Sequence, residues 1–345
     1  MILSSSDFIF LFASSFSLVS LLTPIMRKIA IRFGVVDSPN ESHKTHIVPV
    51  PYLGGVAIVI GIISVSYGAL ILSGFSSKTF WLLSSVLIPG IILAIIGIFD
   101  DLRNLSPWPR FLAQNAIGVF STVVLISTNT VGNPTGSQTV DVLVTMFWVV
   151  GLSNSINFFD NLDGGATGTV AISSVFLFLL AVQSNQFLVA SLSLVVAGST
   201  LGFLVWNRPP ARIYMGDAGS LFLGLVLASL TIRLEPNPIN KWASLSVPIF
   251  LVAIPILDTS VVVTKRLFRG ISPFQGGKDH LSHRLFRLEL SKKSTVITLW
   301  LLTTYFGSLA FVLSNAPYEK EGLVLGCGLV TWLFLFFFFA KQADS

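Results

Sequence analysis

Five short polar stretches carry nearly every side chain in this sequence that is able to do chemistry. The first to consider is Asp100-Asp101, two adjacent carboxylates at the end of an apolar run. Acids at a helix C-terminus oppose the helix dipole. Their presence there points to a metal, a cationic partner or base catalysis, in which one acid coordinates while the other accepts a proton. A plain helix stop is the simpler alternative. The next stretch reads Asn157-Phe158-Phe159-Asp160-Asn161-Leu162-Asp163-Gly164-Gly165. If the preceding helix continues, Asn157 and Asp160 share a face, and oxygen ligands of this kind suit Mg²⁺. The stretch has no Lys or Arg, so Asp160 and Asp163 lack a local counter-charge.

Asp217 stands between Gly216 and Gly219, just before another apolar run. It can cap that helix, or hold a metal beside a pyrophosphate. Tyr214, three residues earlier, offers a stacking face for a base, and Asn207 opens the same stretch. Lys44 lies in Ser42-His43-Lys44-Thr45-His46, where a point charge and imidazole donors suit phosphate. The alternative there is a solvated basic loop. Finally, His280, His283, Arg284 and Arg287 fall on one helical face, with Leu281, Leu285 and Leu288 on another. That periodicity predicts an amphipathic helix at a membrane surface, serving as an anchor or as a clamp for anionic phosphates.

These residues need long apolar elements to position them. The chain is 53% hydrophobic and 11% charged, against about 25% charged in a soluble domain. Apolar runs near 8–26, 53–74, 80–99, 111–128, 140–156, 167–183, 187–206, 219–233, 243–263, 295–314 and 322–340 are of membrane-spanning length. The fold class is therefore all-α, a single polytopic membrane domain over 1–345 with about eleven transmembrane helices. Of the 21 Lys and Arg, 17 fall in the odd-numbered loops and the C-terminal tail, and 4 in the even-numbered loops. The positive-inside bias then puts the N-terminus outside and the C-terminus and all five polar stretches in the cytoplasm. The net charge of +5 is a topology signal, and the lack of a basic stripe interleaved with aromatics speaks against nucleic-acid binding. Cys327 is alone, which excludes an internal disulfide or a thiolate cluster.

Taken together and in order, the five stretches resemble the polyprenyl-phosphate N-acetylhexosamine-1-phosphate transferase family, over nearly the whole chain. Pro109-Arg110-Phe111-Leu112-Ala113-Gln114 after the Asp pair resembles the undecaprenyl-phosphate N-acetylglucosamine-1-phosphate transferase branch. So does Ser272-Pro273-Phe274 leading into Asp279-His280-Leu281-Ser282-His283-Arg284. The phospho-N-acetylmuramoyl-pentapeptide transferase branch shows three consecutive histidines in the last loop, where this chain has Ser282-His283-Arg284. Many N-acetylglucosamine members have His at the position of Ser282.

The resemblance implies transfer of N-acetylhexosamine-1-phosphate from a UDP-sugar, UDP-N-acetylglucosamine in the first place, to polyprenyl phosphate, with release of UMP. It implies a cell-membrane location, Mg²⁺ (or Mn²⁺) as cofactor, and room for a homodimer. It assigns Asp217 as the main metal ligand, with Asn157 near the metal. Tyr214 would stack on uracil, and Asn207, Asp160 and Asp163 would border the nucleotide. Lys44, His283 and Arg284 would contact phosphates, His283 also as a catalytic group, and His280 would border the substrate. Asp100 is the candidate base for the lipid phosphate, supported by Asp101. Direct attack by the lipid phosphate and a covalent enzyme intermediate both fit. A transporter or flippase is the rival class, but it would hold its ionisable groups near the bilayer midplane. Here the ionisable groups cluster at cytoplasmic ends, and Asp258, within two turns of Lys265, is the main exception.

Overall fold

The computed structural model describes residues 4–37, 49–103, 107–128, 137–273 and 277–342. Their secondary structure is almost all helical: α1 (Ser5–Arg32), α2 (Gly54–Leu72), α3 (Ser77–Arg103), α4 (Pro107–Ser127), α5 (Gln138–Phe159), α6 (Gly165–Gln183), α7 (Phe187–Asn207), α8 (Gly216–Arg233), α9 (Lys241–Leu251), α10 (Ala253–Phe268), α11 (Leu281–Arg287), α12 (Lys292–Ser314) and α13 (Tyr318–Lys341). One antiparallel pair, β1 (Val36–Asp37) and β2 (Val50–Pro51), joins α1 to α2.

Each of the eleven apolar runs is helical. Among the described residues, nine helices are long and apolar enough to cross a membrane. The run at 243–263 is not one straight span. It is the pair α9 and α10, bent by 80°. Pro255 explains the break, because it has no N–H for the carbonyl of Leu251. The Ser173 hydroxyl donates to that carbonyl instead, at 2.6 Å. Irregular backbone at membrane depth needs such a partner inside the protein. The 111–128 run holds a shorter apolar helix, Phe111–Ser127.

α8 is the axis of the bundle, buried along nearly its whole length and packed against α2, α3 and α5. α1 lies on α7, α7 on α6, and α12 on α6 and α9. Small residues allow these approaches, as is usual where lipid supplies no hydrophobic drive between helices. A Cβ on Gly202 would lie 2.4 Å from the carbonyl oxygen of Phe16. α13 keeps most of its surface outward, with Leu323, Val330, Phe334 and Phe337 exposed. The effect is a rigid core that brings the ends of α3, α5 and α7 beside the start of α8.

Candidate active site

The Asp pair sits in the last turn of α3, and its neighbour is the first turn of α8. Gly97 packs against the Ala218 backbone, where a Cβ would meet the amide nitrogen at 2.4 Å. This closeness lets the Asp101 carboxylate accept from the Asp217 N–H at 3.0 Å and the Ala218 N–H at 3.4 Å. Gly216 has φ +71°, and a Cβ there would lie 2.5 Å from Asp101 Oδ2. An acid poorly placed for its own helix is thus well placed for the next one, at the positive end of the α8 dipole. Asp100 is buried, and Asp217 is half-buried.

Asn157 faces this junction. Its Nδ2 donates to Asp217 Oδ1 at 2.8 Å and to the Ser220 hydroxyl at 2.9 Å. One turn on, Asp160 ends α5. Burial, with Asp101 and then Asp163 nearby, pushes its carboxyl up to about 7. The same acids act on two phenols. Tyr214 is pushed up by burial, then by Asp163, Asp37 and Asp160. Tyr52 is pushed up by burial, then by Asp37, Asp101 and Asp217. The Tyr52 and Tyr214 rings lie 6.1 Å apart. Five carboxylates therefore surround one aromatic pair. Asp37 and Tyr52 were missed by the sequence reading; an acid in the first basic loop was the signal for Asp37.

Among the described residues, no three of His, Cys, Asp and Glu already enclose a metal-sized point. An ion held by one or two carboxylates, water and substrate phosphate needs no such cage. The all-oxygen donor set, with the Asp160 carboxyl raised by burial and then by Asp101 and Asp163, fits a hard divalent cation.

The loops are locked by buried polar groups. Asn207 is 2% exposed. Its Oδ1 accepts from the Gly164 N–H at 3.0 Å and the Thr167 hydroxyl at 2.9 Å, and its Nδ2 donates to the Ile213 carbonyl at 3.1 Å. The expected nucleotide contact of Asn207 gives way to this internal knot. Asp163 Oδ2 accepts from the Ala211 N–H at 3.1 Å.

The histidine segment also departs from expectation. One side of α11 is sunk into the bundle, with Leu281, Ser282, Arg284 and Leu285 all buried, while Arg287 and Leu288 are exposed. Arg284, expected on phosphate, is fully buried. Its guanidinium donates to the carbonyls of Asp279 at 2.8 Å, Phe339 at 2.9 Å and Gln342 at 3.0 Å. It ties α11 to the end of α13. Asp279 pairs bidentately with Arg266, at 2.8 and 2.7 Å. Burial would raise its carboxyl, but the Arg266 pairing outweighs this and holds it below the usual range.

His280 Nδ1 lies 2.7 Å from Asp258 Oδ2, and the Leu281 N–H donates to Asp258 Oδ1 at 2.7 Å. The Ser282 hydroxyl donates to Asn161 Oδ1. That bond fastens α11 to the stretch holding Asp160 and Asp163. His283 lies beside His280, ring centres 6.0 Å apart. Burial, then the neighbouring His280, lowers the His283 imidazole to about 4, so it is neutral at pH 7. Lys44, with His43 and His46, lies outside the described residues.

Comparison with known proteins gives the family. The pattern of Glycosyl transferase family 4 matches residues 83–235. The chain is 32% identical to a probable undecaprenyl-phosphate N-acetylglucosaminyl 1-phosphate transferase of Bacillus subtilis, over 88% of this chain and 84% of the relative. It is 31% identical to a decaprenyl-phosphate N-acetylglucosaminephosphotransferase of Mycobacterium tuberculosis, over 88% of this chain and 82% of that protein. A phospho-N-acetylmuramoyl-pentapeptide-transferase of Streptococcus uberis is 29% identical over 72% of this chain and 76% of its own length. The chain belongs to glycosyl transferase family 4, among the polyprenyl-phosphate N-acetylhexosamine-1-phosphate transferases.

Proposed function

We propose that this protein transfers N-acetylglucosamine-1-phosphate from UDP-N-acetylglucosamine to polyprenyl phosphate, releasing UMP, at the cytoplasmic face of the cell membrane. The observation that carries this reading is the acid cluster at one end of an apolar bundle, closed around the Tyr52–Tyr214 pair. An oxygen of the lipid phosphate forms a bond to the sugar-bearing phosphorus as the bond to UMP breaks. Both partners are anionic, so the acids alone would repel them. A divalent ion, Mg²⁺ or Mn²⁺, held by Asp217 with Asn157 beside it, would supply the neutralising charge.

The chain's own residues do the rest. Asp101 fixes the start of α8, and through it the direction of Asp217. Tyr214 offers a ring against which uracil can stack. Asp100 and Asp160 are the acids available to take a proton from the lipid phosphate, and a carboxyl near 7 is well matched to that task at neutral pH. His280 is held through Nδ1 by Asp258, and neutral His283 beside it offers a single N–H donor.

The test offers UDP-N-acetylglucosamine, UDP-N-acetylgalactosamine and UDP-N-acetylmuramoyl-pentapeptide to the purified protein with undecaprenyl phosphate and Mg²⁺. The expected result is UMP and a lipid product heavier by N-acetylglucosamine-1-phosphate. A product carrying the pentapeptide would move the chain to the muramoyl branch. Release of inorganic phosphate without UMP would end the transferase reading.

A further inference from the structure

A second concavity lies at the same end of the bundle, between the end of α7 and the first turns of α12. Its volume is about 460 Å³, within the range of small-ligand sites. Trp206, Trp300 and Ile297 give it apolar walls, and Arg208, Arg212 and Lys293 bring three cations to it. Among the described residues no carboxylate lines it. None of the three cations has an ion-pair partner among the described residues. The walls are held in place. Trp206 Nε1 donates to the Ser20 carbonyl at 3.0 Å, and Trp300 Nε1 to the Gly164 carbonyl at 3.2 Å. The Arg212 guanidinium lies over the Trp206 ring, 5.7 Å from its centre. Ile297 is 52% exposed on a face of α12 with no protein against it.

We infer that this cavity binds the headgroup of an anionic phospholipid of the surrounding bilayer. The chemistry excludes a soluble nucleotide as the natural occupant, because the cavity opens along apolar helix faces. Acceptor phosphate is also a poor fit. It must meet the acids of the active site, and none of those acids reaches this cavity. An anionic lipid satisfies both halves of the wall, with phosphate on the cations and its first acyl carbons against Ile297 and the two indoles. Tryptophan at the membrane–water boundary suits such a position. Each basic side chain near an anionic bilayer surface contributes about a fivefold preference, so three together give about a hundredfold. The inference stands apart from the proposed reaction, since it needs neither the donor nor the acceptor.

The test uses the full chain in nanodiscs of phosphatidylcholine with and without brominated phosphatidylglycerol. Quenching of tryptophan fluorescence and the lipid retained in native mass spectrometry are read together. The expected result is one phosphatidylglycerol kept by the wild-type protein. The triple variant Arg208→Gln, Arg212→Gln, Lys293→Gln should bind it about a hundredfold more weakly. A control triple, Lys28→Gln, Arg32→Gln, Lys341→Gln, should bind normally. Should the first triple fold poorly, Lys293→Gln alone should weaken binding about fivefold. Equal retention by wild type and the first triple overturns the inference. So does equal loss in both triples, equal retention of phosphatidylcholine, or displacement of phosphatidylglycerol by undecaprenyl phosphate.

Discussion

Asp258 and His280 are 22 residues apart in the chain, yet His280 Nδ1 sits 2.7 Å from Asp258 Oδ2. The other oxygen, Oδ1, accepts from the backbone of Leu281. A carboxylate accepts, so the shared proton belongs on Nδ1 of His280. Asp258 is thus a positioning residue. It fixes the ring plane of His280 and the start of α11, as an acid can orient an imidazole.

Asp258→Asn should therefore lower UMP release by about a hundredfold, because an amide can donate to Nδ1 and reverse the tautomer. Thermal unfolding should move little, since the substitution keeps the shape. A wild-type rate and an unchanged pH profile in this variant would leave Asp258 a purely structural acid.

Asp217→Ala should cost roughly a thousandfold in turnover, about 4 kcal/mol of transition-state stabilisation. The protein should stay folded, because the cap of α8 comes from Asp101 and not from Asp217 itself. Asn157→Ala should cost less, since it removes a bond to Asp217 Oδ1 and not the carboxylate. Turnover close to wild type at saturating Mg²⁺ in Asp217→Ala would remove this residue from the mechanism.

The loop containing Lys278 should face the cytoplasm, since the Lys and Arg bias sets the orientation. A cysteine at Lys278, exposed in the structure, should resist membrane-impermeant thiol reagents in intact cells and react after the membrane is opened. Ready labelling of intact cells would invert the topology.

The sequence made the helices legible because each apolar run is near bilayer length, and lipid leaves a chain few other ways to satisfy its backbone. It did not reveal the 80° break between α9 and α10. Pro255 was visible, but the Ser173 hydroxyl that makes the break tolerable comes from another helix. The site was legible as a set of loops and not as a set of contacts. Asp101 looked misplaced because only its own helix was in view; its partner is the start of α8, 116 residues on. Asn207 and Arg284 are assigned to substrate by the resemblance, and Arg284 also by the cationic face of its helix. Their burial depends on α6 and α13 respectively, which spacing alone does not place. Asp258 was noted as an exception to the pattern, and its reason is His280.

Arg284 accordingly predicts a stability effect. Arg284→Lys keeps the charge but loses the planar fork that reaches three carbonyls. Unpaired buried polar groups cost about 1–3 kcal/mol, so the thermal midpoint should fall by several degrees. The KM for the nucleotide sugar, measured per folded enzyme, should stay within about twofold. A normal midpoint with a KM raised tenfold would restore the phosphate contact.

Asp160 gives a prediction with opposite signs for stability and activity. Its carboxyl is raised from 3.8 to about 7, chiefly by burial and then by Asp101 and Asp163. Between those two values the folded protein keeps a proton that the unfolded chain has released. The metal-free protein should thus lose stability as pH rises from about 4 to 7, and remain at that lower level above 7. Asp160→Asn cannot ionise and escapes the penalty. In metal-free buffer its thermal midpoint should exceed wild type by about 2–5 °C at pH 8 and match it at pH 4. Turnover should fall, because the same carboxylate is needed at the site. Added Mg²⁺ should raise the wild-type midpoint more at pH 8 than at pH 5, as an ion near Asp160 favours its charged form. A variant no more stable than wild type at pH 8 would mean that Asp160 is already ionised and compensated there, and the acid cluster would lose its strained member.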